Sequence, residues 1–366
     1  MDTTPFLRFS IRMPHAHDLV DALLHGHPGD RVLLHDAPSA DILAAWESQG
    51  YPPGADPVDH FDYAIAECGG WFGWCAGPDD VVAETPAART VRTGNGALLR
   101  WWAHQPAAPE HLDYAITSRA IWERDYRPRL TTFDPARVDV AGAATSLARR
   151  RAQGRWACYA HQFLWENLRA TLGDERMLFA IVDEPGWIHD FCRVYTDLYK
   201  AAFAHLFAHA GKPDGIWLYD DLGYRNRLFC SPATLERLIF PYYTELVDFF
   251  HAHQLPVIFH TCGCQAQIIP QLIAAGFDAL NPMEARAGND LFAFADLYGD
   301  RIAFIGGFDA RLLDTADEAA IRAAVYHHIE GLRQRGARFV FGTDHALVTT
   351  TPYRAYQTAL AAAREW

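Results

Sequence analysis

No apolar run in this sequence approaches the roughly 18 residues that a membrane helix requires. The first 17 residues hold Arg8, Arg12, Pro14 and two histidines but no continuous apolar stretch, so no secretion signal is expected there. Positive charge is also scarce relative to negative. Lys plus Arg is 32 and Asp plus Glu is 45, a formal net charge of −13, which makes a poor partner for a phosphate backbone. Internal repeats and low-complexity linkers are missing. So is any Gly-x-Gly-x-x-Gly after a candidate strand, which argues against a dinucleotide site. Cysteine does not form an even set: seven residues, at 68, 75, 158, 192, 230, 262 and 264, suit buried thiols in a reducing, cytoplasmic protein better than a disulfide framework.

What remains is a chain of 366 residues, 50% apolar and 21% charged, the profile of a globular protein with a large core. Length alone suggests two domains, but one α/β barrel with insertions reaches the same size. Residues 1–150 are irregular and rich in Trp, Pro and Gly. Within them Val81 to His104 reads as a β-hairpin turning at Asn95-Gly96. Trp71, Trp74, Trp101 and Trp102 read as core, and Arg149-Arg150-Arg151 as a solvated helix end.

From residue 151 onward the pattern becomes regular. Strands are expected at 155–160, 215–219, 256–259, 277–280, 301–305 and 338–341. Helices are expected at 174–182, 186–210, 232–253, 265–275, 290–298, 317–335 and 352–364. Alternation with short connections predicts a parallel sheet, and strands apolar along their whole length predict that both faces are covered. A closed (β/α) barrel and an open doubly wound sheet both satisfy this pattern.

The strand ends carry the chemistry. They run into Asp220-Asp221, His260-Thr261-Cys262, Asn281-Pro282-Met283-Glu284, Gly306-Gly307-Phe308-Asp309 and Gly342-Thr343-Asp344-His345. Active sites of parallel α/β folds lie at the carboxyl ends of strands, so these groups are expected around one mouth. His260-x-Cys262 at a strand end can aim an imidazole and a thiolate at one metal ion, with Glu284 and His345 as further ligands. Cys264 is a second choice for the thiolate, because Gly263-Cys264 opens a helix. Zinc held by one thiolate, one carboxylate and two neutral imidazoles is neutral, which suits a reactive centre and activation of a thiol. Asp220 and Asp221 either bind a polar substrate or divide into a loop cap and an ion pair with Arg225 or Arg227. Asp309 either orients a ligand or caps the next helix. His161, Trp165 and Glu166 follow the first regular strand and can line the same mouth.

These residues resemble the superfamily of uroporphyrinogen decarboxylase, the corrinoid- and thiol-dependent methyltransferases and cobalamin-independent methionine synthase. The resemblance runs from about residue 155 to the end. It rests on Leu172-Gly173-Asp174-Glu175, Asp183-Glu184-Pro185, Asp220-Asp221-Leu222-Gly223, His260-Thr261-Cys262-Gly263, Gly306-Gly307-Phe308-Asp309 and Thr351-Pro352. It implies one α/β domain over 1–366, a single (β/α)8 TIM barrel with an irregular N-terminal extension and hairpin insert. It also implies zinc on His260, Cys262 and Glu284, with His345 where the methyltransferases carry a last cysteine. The resemblance further implies methyl transfer between a small donor, a thiol and a corrinoid on a partner protein. Asp221, Asp309 and His345 then act in catalysis, and Asp220, His161 and Asp344 in substrate binding. A monomer or homodimer is expected. Two alternatives accompany this reading. One is a metal-free decarboxylase (a lyase) using His345. Arg8, Arg12 and Pro14 match the spacing of the decarboxylases' N-terminal signature, but Cys68-Gly69-Gly70-Trp71 stands where their cleft Asp belongs. The other is a non-catalytic barrel that binds a ligand or corrinoid.

Overall fold

The computed structural model describes residues 15–72 and 76–366. Arg8, Arg12, Pro14, Trp74 and Cys75 lie outside the described residues. In chain order the strands are β1 (Ile65–Glu67), β2 (Asp80–Glu84), β3 (Ala88–Arg92), β4 (Ala97–Trp102), β5 (Gln105–Tyr114), β6 (Trp156–Gln162), β7 (Gly215–Tyr219), β8 (Gly223–Tyr224), β9 (Arg227–Leu228), β10 (Val257–His260), β11 (Ala279–Asn281), β12 (Ala303–Ile305) and β13 (Phe339–Val340). Seven of them form one curled parallel sheet in the order β1-β6-β7-β10-β11-β12-β13.

Period-two alternation sorts the side chains of this sheet into two apolar layers. One face sets Ile65, Trp156, Cys158, Ala160, Trp217, Ile258, Ala279, Ala303, Ile305 and Val340 against Val20, Leu23 and Leu24 of the helix Ala16–Leu24. The other face sets Tyr159, Ile216, Leu218, Phe259, Leu280 and Phe304 into the larger core under the helices. A sheet buried on both faces is what the unbroken apolar strands anticipated.

The two edges of the sheet meet the same short segment. Leu34 bridges Phe341 in parallel. His35 N–H donates to Phe341 O at 2.9 Å, Phe341 N–H to Leu33 O at 2.8 Å, and Ala64 N–H to Leu34 O at 2.7 Å.

The regular half follows expectation to within a few residues, except that the helix expected over 265–275 starts only at Ile269, so Gly263-Cys264 does not open it, and that the antiparallel pair β8-β9 was not expected; two further differences follow. The single helix expected over 232–253 is two, Pro232–Leu238 and Phe240–Ala252, because Pro241 has no N–H to continue the first. A further helix, Leu164–Leu172, follows β6. The hairpin is larger than expected, a four-stranded antiparallel sheet β2-β3-β4-β5. Its turn does contain Asn95-Gly96, with Gly96 at φ +94°. Asn95 docks the sheet by donating to Ala170 O at 3.2 Å. Trp101 and Trp102 are half-buried and Trp71 is 47% exposed, so the core reading of these rings does not hold. The arginine run does close a helix, Val140–Ala152, with Arg149 and Arg151 exposed, but it is also paired. Arg149 and Arg150 pair with Asp56 and Asp59, and Arg151 with Asp214. No described helix is long and apolar enough to cross a membrane.

Candidate metal centre and active site

The register of three neighbouring strands builds the site. His260 pairs with Tyr219 on β7 and with Asn281 on β11. Ile258 and Trp217 face the inner layer, so His260 and Tyr219, two residues on, face the same way. One further step of two brings in Asp221 and Cys262. The structure joins them: Cys262 N–H donates to Asp221 Oδ1 at 2.8 Å. Cys262 Sγ lies 3.4 Å from His260 Nε2, and His260 Nε2 lies 3.9 Å from Asp221 Oδ1. One ligand atom from each of the three lies within 4.8 Å of the others.

Asn281 orients the imidazole. His260 Nδ1 is 2.5 Å from Asn281 Oδ1, and Asn281 Nδ2 donates to Ile305 O at 2.9 Å. The second bond fixes the amide, so Oδ1 is left to accept from Nδ1–H. Nε2 then keeps its lone pair, directed at Cys262 and Asp221.

Charge makes this pocket uncomfortable for a thiolate by itself. Burial pushes the Cys262 thiol well up, and the Asp221 and Glu284 carboxylates push it further. A bound cation reverses that balance and holds a thiolate. The donor set fits such a cation. Tetrahedral zinc, with bonds of about 2.3 Å to sulfur and about 2.0 Å to nitrogen, separates those two ligand atoms by roughly 3.5 Å. The Cys262–His260 separation of 3.4 Å agrees with this.

Two cavities meet at these residues. An outer one of about 780 Å³ is lined by Arg169, Asp221, Arg225, Phe229, Glu284 and Arg286, among others. An inner one of about 210 Å³ is lined by His35, Trp217, Tyr219, His260, Asn281 and Thr343, among others. Cys262 and His345 line both, so the Asp221–His260–Cys262 cluster occupies the neck between them.

The family model for uroporphyrinogen decarboxylase (URO-D) matches residues 170–366, more than half of the chain, and the three clustered residues lie inside it. The chain belongs to the URO-D family. A solved structure described as a methyltransferase from Methanosarcina mazei superposes with a TM-score of 0.68 at 14% identity, over 96% of this chain and 99% of that one. That likeness establishes the shared fold. A Xaa-Pro dipeptidase with bound methionine (TM-score 0.31, 15% identity, 60% of this chain and 56% of that one) superposes too loosely to carry an argument. No curated protein matches.

Placed on this URO-D framework, the remaining candidate residues divide by face. Asp220 points away from the mouth and is fully buried. It accepts from Trp165 N–H at 2.8 Å, from Glu166 N–H at 2.5 Å and from the Tyr243 hydroxyl, so it anchors the start of the helix Leu164–Leu172. Neither Asp220 nor Asp221 pairs with Arg225 or Arg227 among the described residues. His161 also faces outward and is fully buried. Its Nδ1 lies 2.7 Å from Gln162 O, and burial lowers its pKa to about 4. Asp344 accepts from Ala285 N–H at 2.8 Å and from Ala310 N–H at 2.9 Å, tying two loops together. Asp309 caps Ala310–Leu313 through Arg311 N–H at 3.0 Å and pairs with the Arg311 guanidinium. None of Asp220, His161, Asp309 and Asp344 is among the residues lining either cavity, and Trp165 and Glu166 are likewise absent from them.

Glu284 and His345 stand at the mouth, outside the three-residue cluster. Glu284 accepts from Gly263 N–H at 3.0 Å and from Arg286 Nε at 2.6 Å. Burial works to raise its pKa, but Arg286 and the Gly263 N–H outweigh it and hold the carboxyl below its usual range. His345 is half-buried, with Nδ1 3.4 Å from Ala346 O. Sequence reasoning did not anticipate Asp221 as a ligand-range neighbour, Asn281 as the orienting group, or the arginines of the outer cavity. The first two follow from strand register, which a single sequence does not state. Arg169, Arg225 and Arg286 lie in loops and a helix end with no periodic signal.

Proposed function

We propose that this URO-D family chain is a zinc-dependent methyltransferase built on a single (β/α)8 domain. In this reading the Leu33–His35 segment supplies the eighth position between β13 and β1, and residues 1–150 supply the extension and insert. The observation that carries the functional reading is the convergence of Asp221, His260 and Cys262 at one neck. To hold zinc, Cys262 would offer a thiolate, His260 its Nε2 lone pair and Asp221 one carboxylate oxygen. With Zn²⁺ these sum to a neutral centre, and three protein ligands leave a fourth position for a substrate. A zinc ion held by these residues would supply Lewis acidity and lower the pKa of an incoming thiol. Glu284, restrained by Gly263 and Arg286, and His345 border that position as reserve ligands or substrate contacts. The inner cavity, at about 210 Å³, suits a small donor or thiol. A corrinoid carried by a partner protein would approach from the side of the wider outer cavity, of about 780 Å³.

Elemental analysis tests this reading. The purified chain, offered zinc and desalted, is expected to keep about one zinc per chain, and His260→Ala and Cys262→Ala to lose it. Full zinc content in both variants would refute it.

One observation favours a second reading. Arg169, Arg225 and Arg286 line the outer cavity, and guanidinium groups suit carboxylate-bearing substrates. A metal-free decarboxylase would use them. Consumption of uroporphyrinogen by metal-stripped protein supports it, and absence of turnover across the pH range counts against it.

A further inference from the structure

The two cavities that meet at the neck differ in kind. Arg169, Arg225 and Arg286 line the outer one, whereas no Lys or Arg is among the described residues lining the inner one. The inner cavity offers acceptors, carboxyl groups and aromatic rings instead. His35 is half-buried in its wall. His35 Nδ1 lies 3.3 Å from Ile65 O, so Nδ1 carries the hydrogen and Nε2 keeps a lone pair. Burial lowers the His35 pKa to about 4, against the pull of the Ile65 carbonyl, so the ring is neutral at pH 7. Nε2 has no partner among the described residues and is not one of the sealed polar atoms, so it is open to a ligand in the cavity.

Two carboxyl groups stand in and behind this wall. Asp36 lines the cavity and accepts from Thr343 Oγ1 at 2.8 Å and from the Tyr356 hydroxyl at 3.2 Å. Glu67, at the end of β1, accepts from the Tyr219 hydroxyl. Burial raises both pKa values, hydrogen bonds oppose it, and no basic side chain pairs with either among the described residues. Buried carboxylates are ordinarily paired, and a cation is the partner that both lack. The Tyr219 ring is half-buried in the same wall, stacked with Trp71 at 5.9 Å and Trp217 at 6.0 Å between centroids. Its hydroxyl hydrogen is drawn toward Glu67, which leaves the ring electron-rich, the property that attracts a cation.

At about 210 Å³ the inner cavity is smaller than the roughly 300–1,000 Å³ of drug-sized sites, so it holds a head group. We propose that it receives a small methylated onium cation, an ammonium or sulfonium head group. The positive charge lies against the Tyr219 ring in the field of Asp36 and Glu67, and its polarised C–H or N–H groups meet His35 Nε2. Anionic groups are directed to the arginines of the outer cavity instead. That the cation is the methyl donor rests on the methyl-transfer reading. That it binds does not, because none of His35, Asp36, Glu67 and Tyr219 is a proposed metal ligand.

Choline and 3,3-dimethylbutan-1-ol are the probes, since they share a shape and differ by the charged nitrogen. The full chain, stripped of metal, is titrated with each in a calorimeter, and the titrations are repeated on the chain offered zinc. The expected result is saturable binding of choline, with the neutral alcohol about tenfold weaker. Tyr219→Leu should weaken choline about tenfold and leave the alcohol little changed. Glu67→Gln, which keeps an acceptor for the Tyr219 hydroxyl and removes the charge, should narrow the preference for choline and serves if the Leu variant does not fold. No saturable binding of choline, or equal binding of the two probes by the unaltered chain, overturns the proposal. A preference that survives both substitutions intact locates the cation elsewhere and overturns it as well. Choline binding by a chain that takes up no zinc upholds the onium site and refutes the metal reading alone. Zinc uptake without choline binding overturns the onium site and leaves the metal reading standing.

Discussion

Asp220 and Asp221 are chain neighbours with identical side chains, and they serve opposite faces of β7. The outward carboxylate is sealed among a helix start and a tyrosine, and its oxygens are taken by Trp165, Glu166 and Tyr243. The inward one borders a cavity and stands beside His260 and Cys262. The same division separates His161, outward and locked against backbone carbonyls, from His260, inward with a lone pair free. At a strand end, parity decides whether a polar residue maintains the scaffold or meets a ligand.

Breaking the outward face should cost the most. Asp220→Ala leaves two backbone N–H groups and a phenol buried without their acceptor, a loss of about 3–5 kcal/mol by the usual cost of unpaired buried groups. Chemical denaturation is expected to show that drop. A change below 1 kcal/mol would mean that Asp220 does not anchor the helix. Asp221→Ala should reverse the pattern: it removes one backbone acceptor, that of Cys262 N–H, at a cost of about 1 kcal/mol, while zinc affinity falls at least 100-fold, about 2.7 kcal/mol. Competition with a chelator of known affinity measures it.

Asn281→Ala sharpens the comparison by leaving every ligand atom in place while releasing the His260 ring. Zinc affinity should fall about 10- to 100-fold, the range seen when a ligand's hydrogen-bond partner is removed. An unchanged affinity would show that the ring is held by packing alone.

His161 provides the smallest effect and a pH signature. Its folded pKa, about 4, lies below the ordinary histidine value near 6.5. Between those values the unfolded chain binds a proton that the native state does not. Stability from this residue is therefore complete above about pH 6.5 and declines as pH falls toward 4. His161→Phe should flatten the loss of stability between pH 6.5 and 4.5 by about 1 kcal/mol per pH unit. An identical slope in the variant would exclude His161 as a source of acid sensitivity.

Much of this organisation was legible before the structure. Strands apolar along their length announced a two-sided parallel sheet, and polar groups after each strand located the mouth. The Asn95-Gly96 turn was likewise readable. The Leu33–His35 segment was not, because it makes one bridge and a few backbone bonds and carries no periodicity. Asp309 and Asp344 looked like site residues because a capping carboxylate and a catalytic one have the same sequence signature. Partnership between Asp221 and Cys262 depends on the β7–β10 register, which pairs Tyr219 with His260 two residues earlier. That pairing is a tertiary fact, unavailable from local pattern.

The most direct test of the parity account is zinc stoichiometry, by elemental analysis, of the unaltered chain beside Asp221→Ala and Asp220→Asn. The account predicts about one zinc per chain in the unaltered protein, retention in folded Asp220→Asn, and loss in Asp221→Ala. Zinc retained by Asp221→Ala, or no zinc bound by the unaltered chain when it is offered, would contradict it.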